Sequence, residues 1–270
     1  MKKNVHNESK SLKTVFLYFL VVFVIIAVAV TIKIFNIYEQ SKFDPAHEFV
    51  LAVTQQNQVK EIVCFHPETP GISFLIIKDP NLAYNSLAKN YGIATDGFVQ
   101  ANEGISSGTD ISNLMWESIT HMATWKSNLT ILDKFRVLLF AKNVSINNKT
   151  IEQISLSNQT PNLNTIIATA LNDQNISSEN ITIQIINATN VSGLGQRLGK
   201  ILTNMGANVV DVASSEKTQQ KSTIAYYGND SYTLDRLQKF LGVTASKLNK
   251  QTIADIVITI GNDNAKTTAF

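Results

Sequence analysis

Cysteine is almost missing from this chain: Cys64 is the only one in 270 residues. That excludes an intramolecular disulfide and any zinc site built from cysteines. A eukaryotic secreted domain of this size more often carries several cysteines, whereas bacterial extracytoplasmic proteins often manage without them. Arginine is nearly as scarce, with Arg136, Arg197 and Arg236 far apart and no Arg-x-Arg pair. Charged residues make up only 16% of the chain and the net charge is +2. No Lys/Arg cluster lies outside the N-terminal tail, so nucleic acid is not an expected partner. His47, His66 and His121 share no ligand spacing with each other or with a carboxylate pair, and neither a metal nor a cofactor is expected.

Charge is wholly absent from one place. Val15 to Ile32 is an apolar run interrupted only by Thr31. About eighteen to twenty apolar residues at 1.5 Å rise cover a hydrocarbon core of roughly 30 Å. Lys33 can snorkel at its far end, with Tyr38 as an aromatic anchor. Lys2, Lys3, Lys10 and Lys13 precede the run against a single Glu8; after it, Glu39, Asp44 and Glu48 outnumber Lys33 and Lys42. The positive-inside rule then predicts a single-pass protein of the cell membrane, N-terminus cytoplasmic and C-terminus extracytoplasmic. A cleaved signal peptide is the competing reading. It needs a shorter apolar stretch, roughly 7 to 15 residues, ending in a small-x-small site. The only such triplet, Ala27-Val28-Ala29, sits inside the run. A retained span over 14–37, behind a cytoplasmic tail at 1–13, is therefore expected.

About one residue in ten is Asn, so triplets such as Asn128-Leu-Thr130 arise by chance and need not mark glycosylation. Beyond the span, short β-like runs alternate with helical patterns, an α/β (α+β) composition. Phe49 to Val53, Glu61 to Phe65 and Ile72 to Ile77 read as strands, with a turn at Pro67 to Gly71. Asn81 can cap a helix that stops at Gly92, and Phe98-Val99 is a short strand. A helix from about Thr109 or Asp110 places Ile111, Met115, Ile119, Met122 and Trp125 at spacings of three and four. Another helix spans about Ile131 to Ala141, and Thr150 to Leu156 closes a compact α/β unit at 46–157.

The stretch 158–180, rich in Ser, Asn, Gln and Thr, reads as a partly ordered linker with one short helix near Leu163, Ile166, Ile167 and Leu171. From 181 to 264 the pattern is cleaner. Strands at Ile181–Ile186, Asn208–Val212, Thr223–Tyr227 and Ala254–Gly261 alternate with helices at Gly193–Met205 and Thr233–Leu241. The order β-α-β-β-α-β is that of ferredoxin-like split units, with strand order left open.

This C-terminal module resembles the LytR C-terminal domain. The likeness is carried by Ile183-Gln-Ile-Ile-Asn187-Ala-Thr-Asn-Val-Ser-Gly193-Leu-Gly195, the helix end Met205-Gly206-Ala-Asn-Val-Val210, the stretch Thr233 to Val243, and the closing Ala254 to Gly261. Such domains commonly follow a single membrane anchor on bacterial envelope proteins, often beside a LytR-CpsA-Psr catalytic domain. The middle unit is similar to the start of that catalytic domain. A strand ending Leu75-Ile76-Ile77-Lys78-Asp79 stands where the family has Pro-Arg-Asp, and Tyr91-Gly-Ile-Ala-Thr-Asp96-Gly-Phe98 resembles its Gly-x-x-x-Asp-Gly-Tyr/Phe segment. The full family holds a polyprenyl pyrophosphate with arginines and an aspartate, and a divalent metal assists transfer of a glycopolymer to peptidoglycan. Here the Arg position is Lys78, which lacks the planar fork for phosphate, and the domain is about half the expected length. The resemblance implies a reduced, non-catalytic relative.

Lys78 and Asp79 are the weak catalytic candidates; a strand-end turn into Pro80 explains them as well. Asn187, Gly193 and Gly195 are candidate ligand-binding residues, since a helix opening after a strand offers N–H groups to an anion. Tight turn and close helix packing explain these glycines better; the spacing to Gly199 misses the dinucleotide fingerprint by one residue. His66 beside Cys64 needs no nucleophile role, since residues two apart on a strand simply share a face. Trp116 and Trp125 are expected in the core, with an exposed aromatic groove for sugar rings as the alternative. Two functions follow: a non-enzymatic binding or scaffolding protein touching the bilayer through Val15–Ile32 and then peptidoglycan, another wall polymer or an envelope protein; or a reduced glycopolymer transferase acting on a polyprenyl-pyrophosphate-linked substrate.

Overall fold

The computed structural model describes residues 5–78, 82–101, 110–154, 162–250 and 252–264. In chain order the elements are α1 (Val5–Glu39), β1 (Phe49–Gln55), β2 (Gln58–His66), β3 (Gly71–Ile77), β4 (Gly97–Ala101), α2 (Ile111–Thr120), β5 (Lys126–Ser127), α3 (Ile131–Asn143) and β6 (Lys149–Ile154). There follow α4 (Leu163–Leu171), α5 (Gln174–Glu179), β7 (Thr182–Asn187), α6 (Leu194–Asn204), β8 (Asn208–Ser214), β9 (Thr223–Tyr226), α7 (Tyr232–Leu241), β10 (Ala245–Lys247) and β11 (Ile256–Ile260). The mixed α/β class is as expected.

From Val15 to Glu39, α1 is long and apolar enough to cross a membrane. The interruption of its Val15–Ile32 apolar run is satisfied locally, because Thr31 Oγ1 donates to the Ala27 carbonyl at 2.8 Å. Four residues beyond the helix end, Phe43 is already buried among Phe49, Phe65 and Phe140, with ring centroids 5.2 to 6.0 Å apart. The chain thus passes from span to folded core with almost no leash.

The middle unit is a six-stranded sheet in the order β5-β4-β1-β2-β3-β6. An antiparallel meander, β1-β2-β3, forms its centre; β4 and β6 add in parallel on either side. The β1–β2 hairpin turns on Gln56 and Asn57, both with positive φ (51° and 66°), the geometry that matches strand twist in a two-residue loop. Both faces of this sheet are covered, which is why β1 and β2 read as unbroken apolar runs. Phe49, Leu51, Val53, Phe65 and Phe74 face α2 and α3. Val50, Ala52, Ile62, Cys64 and Leu75 face Leu87, Tyr91 and α4.

The segment expected to form a helix from Asn81 instead makes a 3-10 turn at Tyr84–Ser86 and one wide π turn at Leu87–Tyr91, with Asn81 outside the described residues. It stops at Gly92 in the left-handed region (φ 65°). Trp116 is corrected: it is 54% exposed, because α2 buries Ile111, Leu114, Met115 and Ser118 and leaves Trp116 on the opposite side. Trp125 is half-buried against the first core.

The C-terminal sheet runs β10-β9-β11-β7-β8. Its elements follow the expected order, with β10 added, but they are not joined as split units. β8 lies directly beside β7 in parallel, and β10 lies directly beside β9 in parallel, so each helix closes an undivided βαβ unit. β11 enters between the units, parallel to β7 and antiparallel to β9. Its alternate Ile256, Ile258 and Ile260 register with Ile183, Ile185 and Asn187, extending one apolar layer under α6 and α7.

The 158–180 stretch holds two helices in its described part. Ile167, Ala170 and Leu171 of α4 pack on the middle sheet, whereas Ile176 of α5 belongs to the C-terminal core. Asp173 caps α5, accepting from the Asn175 and Ile176 amides.

Candidate functional site

Helix α7 carries two faces. Leu234, Leu237 and Leu241 point into the C-terminal core, while Tyr232, Asp235, Arg236 and Lys239 recur at i, i+3, i+4 and i+7 towards the middle unit. Ser231 starts the helix by accepting from the Leu234 amide at 3.1 Å. Glu179 of α5 steadies the same turn, accepting from the Tyr232 and Thr233 amides at 2.9 and 2.8 Å.

Opposite this polar face stand the loop before β1 and the loop before β4. Asp96 is fixed to β1 from both sides: its amide donates to the Val50 carbonyl and its Oδ2 accepts from the Val50 amide, each at 2.8 Å. One Arg236 nitrogen, Nη2, then donates to both carboxylate oxygens of Asp96 at 3.1 Å. The arginine is buried; desolvation opposes its charge, but Asp96 outweighs that and holds its pKa above the ordinary value. Arg236 Nε is a buried donor with no acceptor among the described residues.

Beside this pair lies a second cluster. His47 Nδ1 is 2.8 Å from Asp44 and Nε2 is 2.9 Å from Asp235, and the ring stacks on Tyr232 at 4.9 Å. Lys239 Nζ bridges the same acids at 2.8 and 3.1 Å. Burial tends to raise Asp44, but the Lys239 hydrogen bond, the Ala46 amide and His47 bring its pKa down to about 2. Deeper, Glu48 meets His66 Nδ1 at 2.6 Å and Asp173 accepts from the Tyr232 hydroxyl at 2.8 Å. Burial pushes both of these acids up, against those same partners.

Between the two polar walls is a cleft of about 500 Å³. Its charges are largely matched within the protein, and the Tyr84 and Thr95 hydroxyls bond to each other at 2.8 Å, so the rest of the lining is hydroxyl, amide and aromatic in character, with Asn128 and the Phe240 ring. Such a surface suits a neutral or zwitterionic ligand better than a polyanion. The domains also meet at Gly92, where Asn204 Nδ2 donates to the Gly92 carbonyl at 2.8 Å and Lys200 Nζ to the Asn90 carbonyl at 3.2 Å.

Of the candidate site residues read from the sequence, Lys78, Asn187, Gly193 and Gly195 do not line this cleft, whereas Asp96 of the Tyr91–Phe98 segment does. Lys78 is exposed at the end of β3, and Asp79 lies outside the described residues. Arg136 donates to Ser41 Oγ and the Phe43 carbonyl, Arg236 is committed to Asp96, and Arg197 sits on α6, so these cations do not converge on one point.

Asn187, Gly193 and Gly195 gather at the C-terminal end of β7. Asn187 accepts from the Thr189 amide and hydroxyl and donates to the Val191 carbonyl at 2.9 Å, which shapes the turn into α6. Gly193 adopts φ 75° there, and a Cβ on Gly195 would stand 3.0 Å from Val212. Cys64 is buried in the second core, with desolvation pushing its thiol pKa up. Among the described residues no group of three His, Cys, Asp or Glu side chains is placed to hold a metal ion.

Sequence reasoning missed Asp96 as a docking residue, and with it His47, Arg236 and Lys239. The one legible signal was the polar spacing on α7; its partners lie up to 195 residues away in the chain.

The apolar N-terminal helix fits membrane anchoring, and with the family match at residues 180–263 it points to a cell-envelope-associated protein. Residues 180–263 match the family model described as LytR cell envelope-related transcriptional attenuator, and the C-terminal domain is thus a LytR C-terminal domain. The match covers 84 of the chain's 270 residues. No curated protein and no solved structure matches the chain.

Proposed function

We propose that this is a single-pass envelope protein whose domains lie outside the cytoplasm and serve as a non-catalytic binding or scaffolding module. The C-terminal domain contacts wall polymer or an envelope protein. The lysines before the apolar run and the acids after it support the orientation. The observation that carries the binding role is the cleft: its charged groups neutralise one another, and it presents hydroxyl, amide and aromatic groups suited to a sugar or short peptide. A transferase acting on a lipid-linked pyrophosphate needs several cations on two phosphates, and the three arginines engage other partners or other faces.

The test is co-sedimentation of residues 42–270 with isolated wall sacculi, beside a chain stopped at residue 178. Binding by the longer chain alone assigns the wall contact to the C-terminal domain together with the cleft it forms with the middle unit. Absence of binding by both removes wall polymer from the proposal and leaves a protein partner, sought by crosslinking in intact cells.

A further inference from the structure

Helix α3 carries an apolar stripe that no described residue covers. Ile131, Phe135 and Leu139 follow one another at i, i+4 and i+8 and are 38%, 41% and 58% exposed. Water-facing large apolar side chains at three successive turns of one helix are unusual for a face bathed in solvent. The remaining exposed residues of α3 are Lys142 and Asn143; its one acid, Asp133, is fully buried.

The position of this helix is fixed relative to α1. Asp133 Oδ1 accepts from Ser41 Oγ at 2.6 Å, the Lys42 amide at 2.8 Å and the Phe43 amide at 2.9 Å. The segment that leaves α1 is therefore tied to the first turn of α3. One turn further along, the Arg136 guanidinium lies 5.7 Å from the centre of the Tyr38 ring. A residue spans at most about 3.6 Å of extended chain, so the few residues between Glu39 and this tie cannot lift α3 far from the end of the span. An open notch of about 630 Å³, lined by Ile37, Gln40, Lys42 and residues 127–131, separates the two helices on the same side.

We propose that α3 docks on the outer surface of the bilayer, burying Ile131, Phe135 and Leu139 among the lipids while the exposed Lys142 meets anionic headgroups. An apolar stripe beside a span, on a helix whose exposed charge is Lys142 and whose one acid is buried, has the chemistry of an interfacial helix. Docking holds the middle unit flat against the membrane and turns the C-terminal domain to one fixed side. This rests on α1 spanning the bilayer, as proposed above.

The experiment uses the full chain in vesicles of phosphatidylcholine and phosphatidylglycerol. Cys64 is buried, so an environment-sensitive fluorophore can be placed at Phe135→Cys, Leu139→Cys, Ile26→Cys or Val210→Cys, one at a time. The expected result is blue-shifted emission at positions 135 and 139, quenched by lipids spin-labelled near the headgroup. Position 26 is quenched by lipids labelled deep in the chain, and position 210 by neither. Quenching at 26 without quenching at 135 and 139 overturns the docking and leaves the anchor standing. No quenching at 26 overturns the anchor and the docking with it. A blue shift at 135 and 139 that grows with protein density and resists lipid quenchers overturns the proposal in favour of a second copy of the chain.

Discussion

Asp133 shows how much one buried carboxylate organises. Its Oδ2 accepts from the Thr130 amide and hydroxyl at 2.8 Å, closing the capping box of α3, while Oδ1 takes three donors from residues 41–43. An amide in its place keeps one acceptor oxygen and turns an NH₂ towards donors. Asp133→Asn is thus expected to cost on the order of 3 kcal/mol, since hydrogen bonds to charged groups contribute about 1.5–3 kcal/mol each. Chemical denaturation checks the cost, and faster tryptic cleavage after Lys42 reports the freed juxtamembrane turn. The Asp96–Arg236 pair obeys a different rule, because removing one member leaves the other buried and uncompensated. Arg236→Met is expected to lose about 3–5 kcal/mol, and Asp96→Asn combined with it to recover part of that loss. A double-mutant cycle showing simple additivity would sink this account. At Gly92, whose φ of 65° already favours glycine, a Cβ would approach Lys200 Cγ to 2.7 Å and Asn204 Nδ2 to 2.9 Å. Neither Asp96 nor Gly92 was readable as an interface residue, since each acquires that role from a partner more than 100 residues away.

Elements with strong periodicity were legible at the level of sequence, and those set by tertiary contact were not. The alternation of Ile183, Ile185 and Asn187 in β7, and the Leu194, Leu198, Ile201 and Leu202 stripe of α6, are properties of local spacing. Helix α4 is different. Asn and Thr dilute its apolar residues, so composition resembles a linker, yet Ile167 is fully buried and completes one face of the middle sheet. Ile167→Ala is accordingly expected to destabilise the protein by about 2–5 kcal/mol. Leu163→Ala, at a half-buried position of the same helix, should cost clearly less; equal effects in urea unfolding would show that α4 is not part of this core. The strand order of the C-terminal sheet was likewise hidden. Only pairing of β11 between β7 and β9 decides it, and the alternation within a strand marks its buried face but not its neighbour.

For the whole molecule, the question is what keeps two domains and the apolar helix α1 in one arrangement, and pH is the lever that separates the contributions. Asp44 has a folded pKa of about 2 against an ordinary value of 3.8. Its contribution is therefore complete above pH 3.8 and lost as pH falls towards 2. The group is partly exposed, so the effect is modest. Glu48 and Asp173 work in the opposite sense. Burial raises their folded pKa values, so the folded protein holds their protons more tightly, and stability declines as pH rises from their unfolded values through their folded ones. The contact between the domains should consequently be firmest in mildly acidic solution, weaker at neutral pH and weaker again near pH 2, the depressed value of Asp44. Thermal midpoints across this range check the shape. Glu48→Gln should flatten the decline towards neutral pH, and Asp44→Asn the decline on the acid side. Distances between spin labels on the middle and C-terminal domains add the structural reading: a distribution that broadens where the midpoint falls locates the loss at the interface. A distribution that stays narrow while the midpoint falls would place it inside one domain, and the ion pairs across the cleft would then not be what holds the domains together.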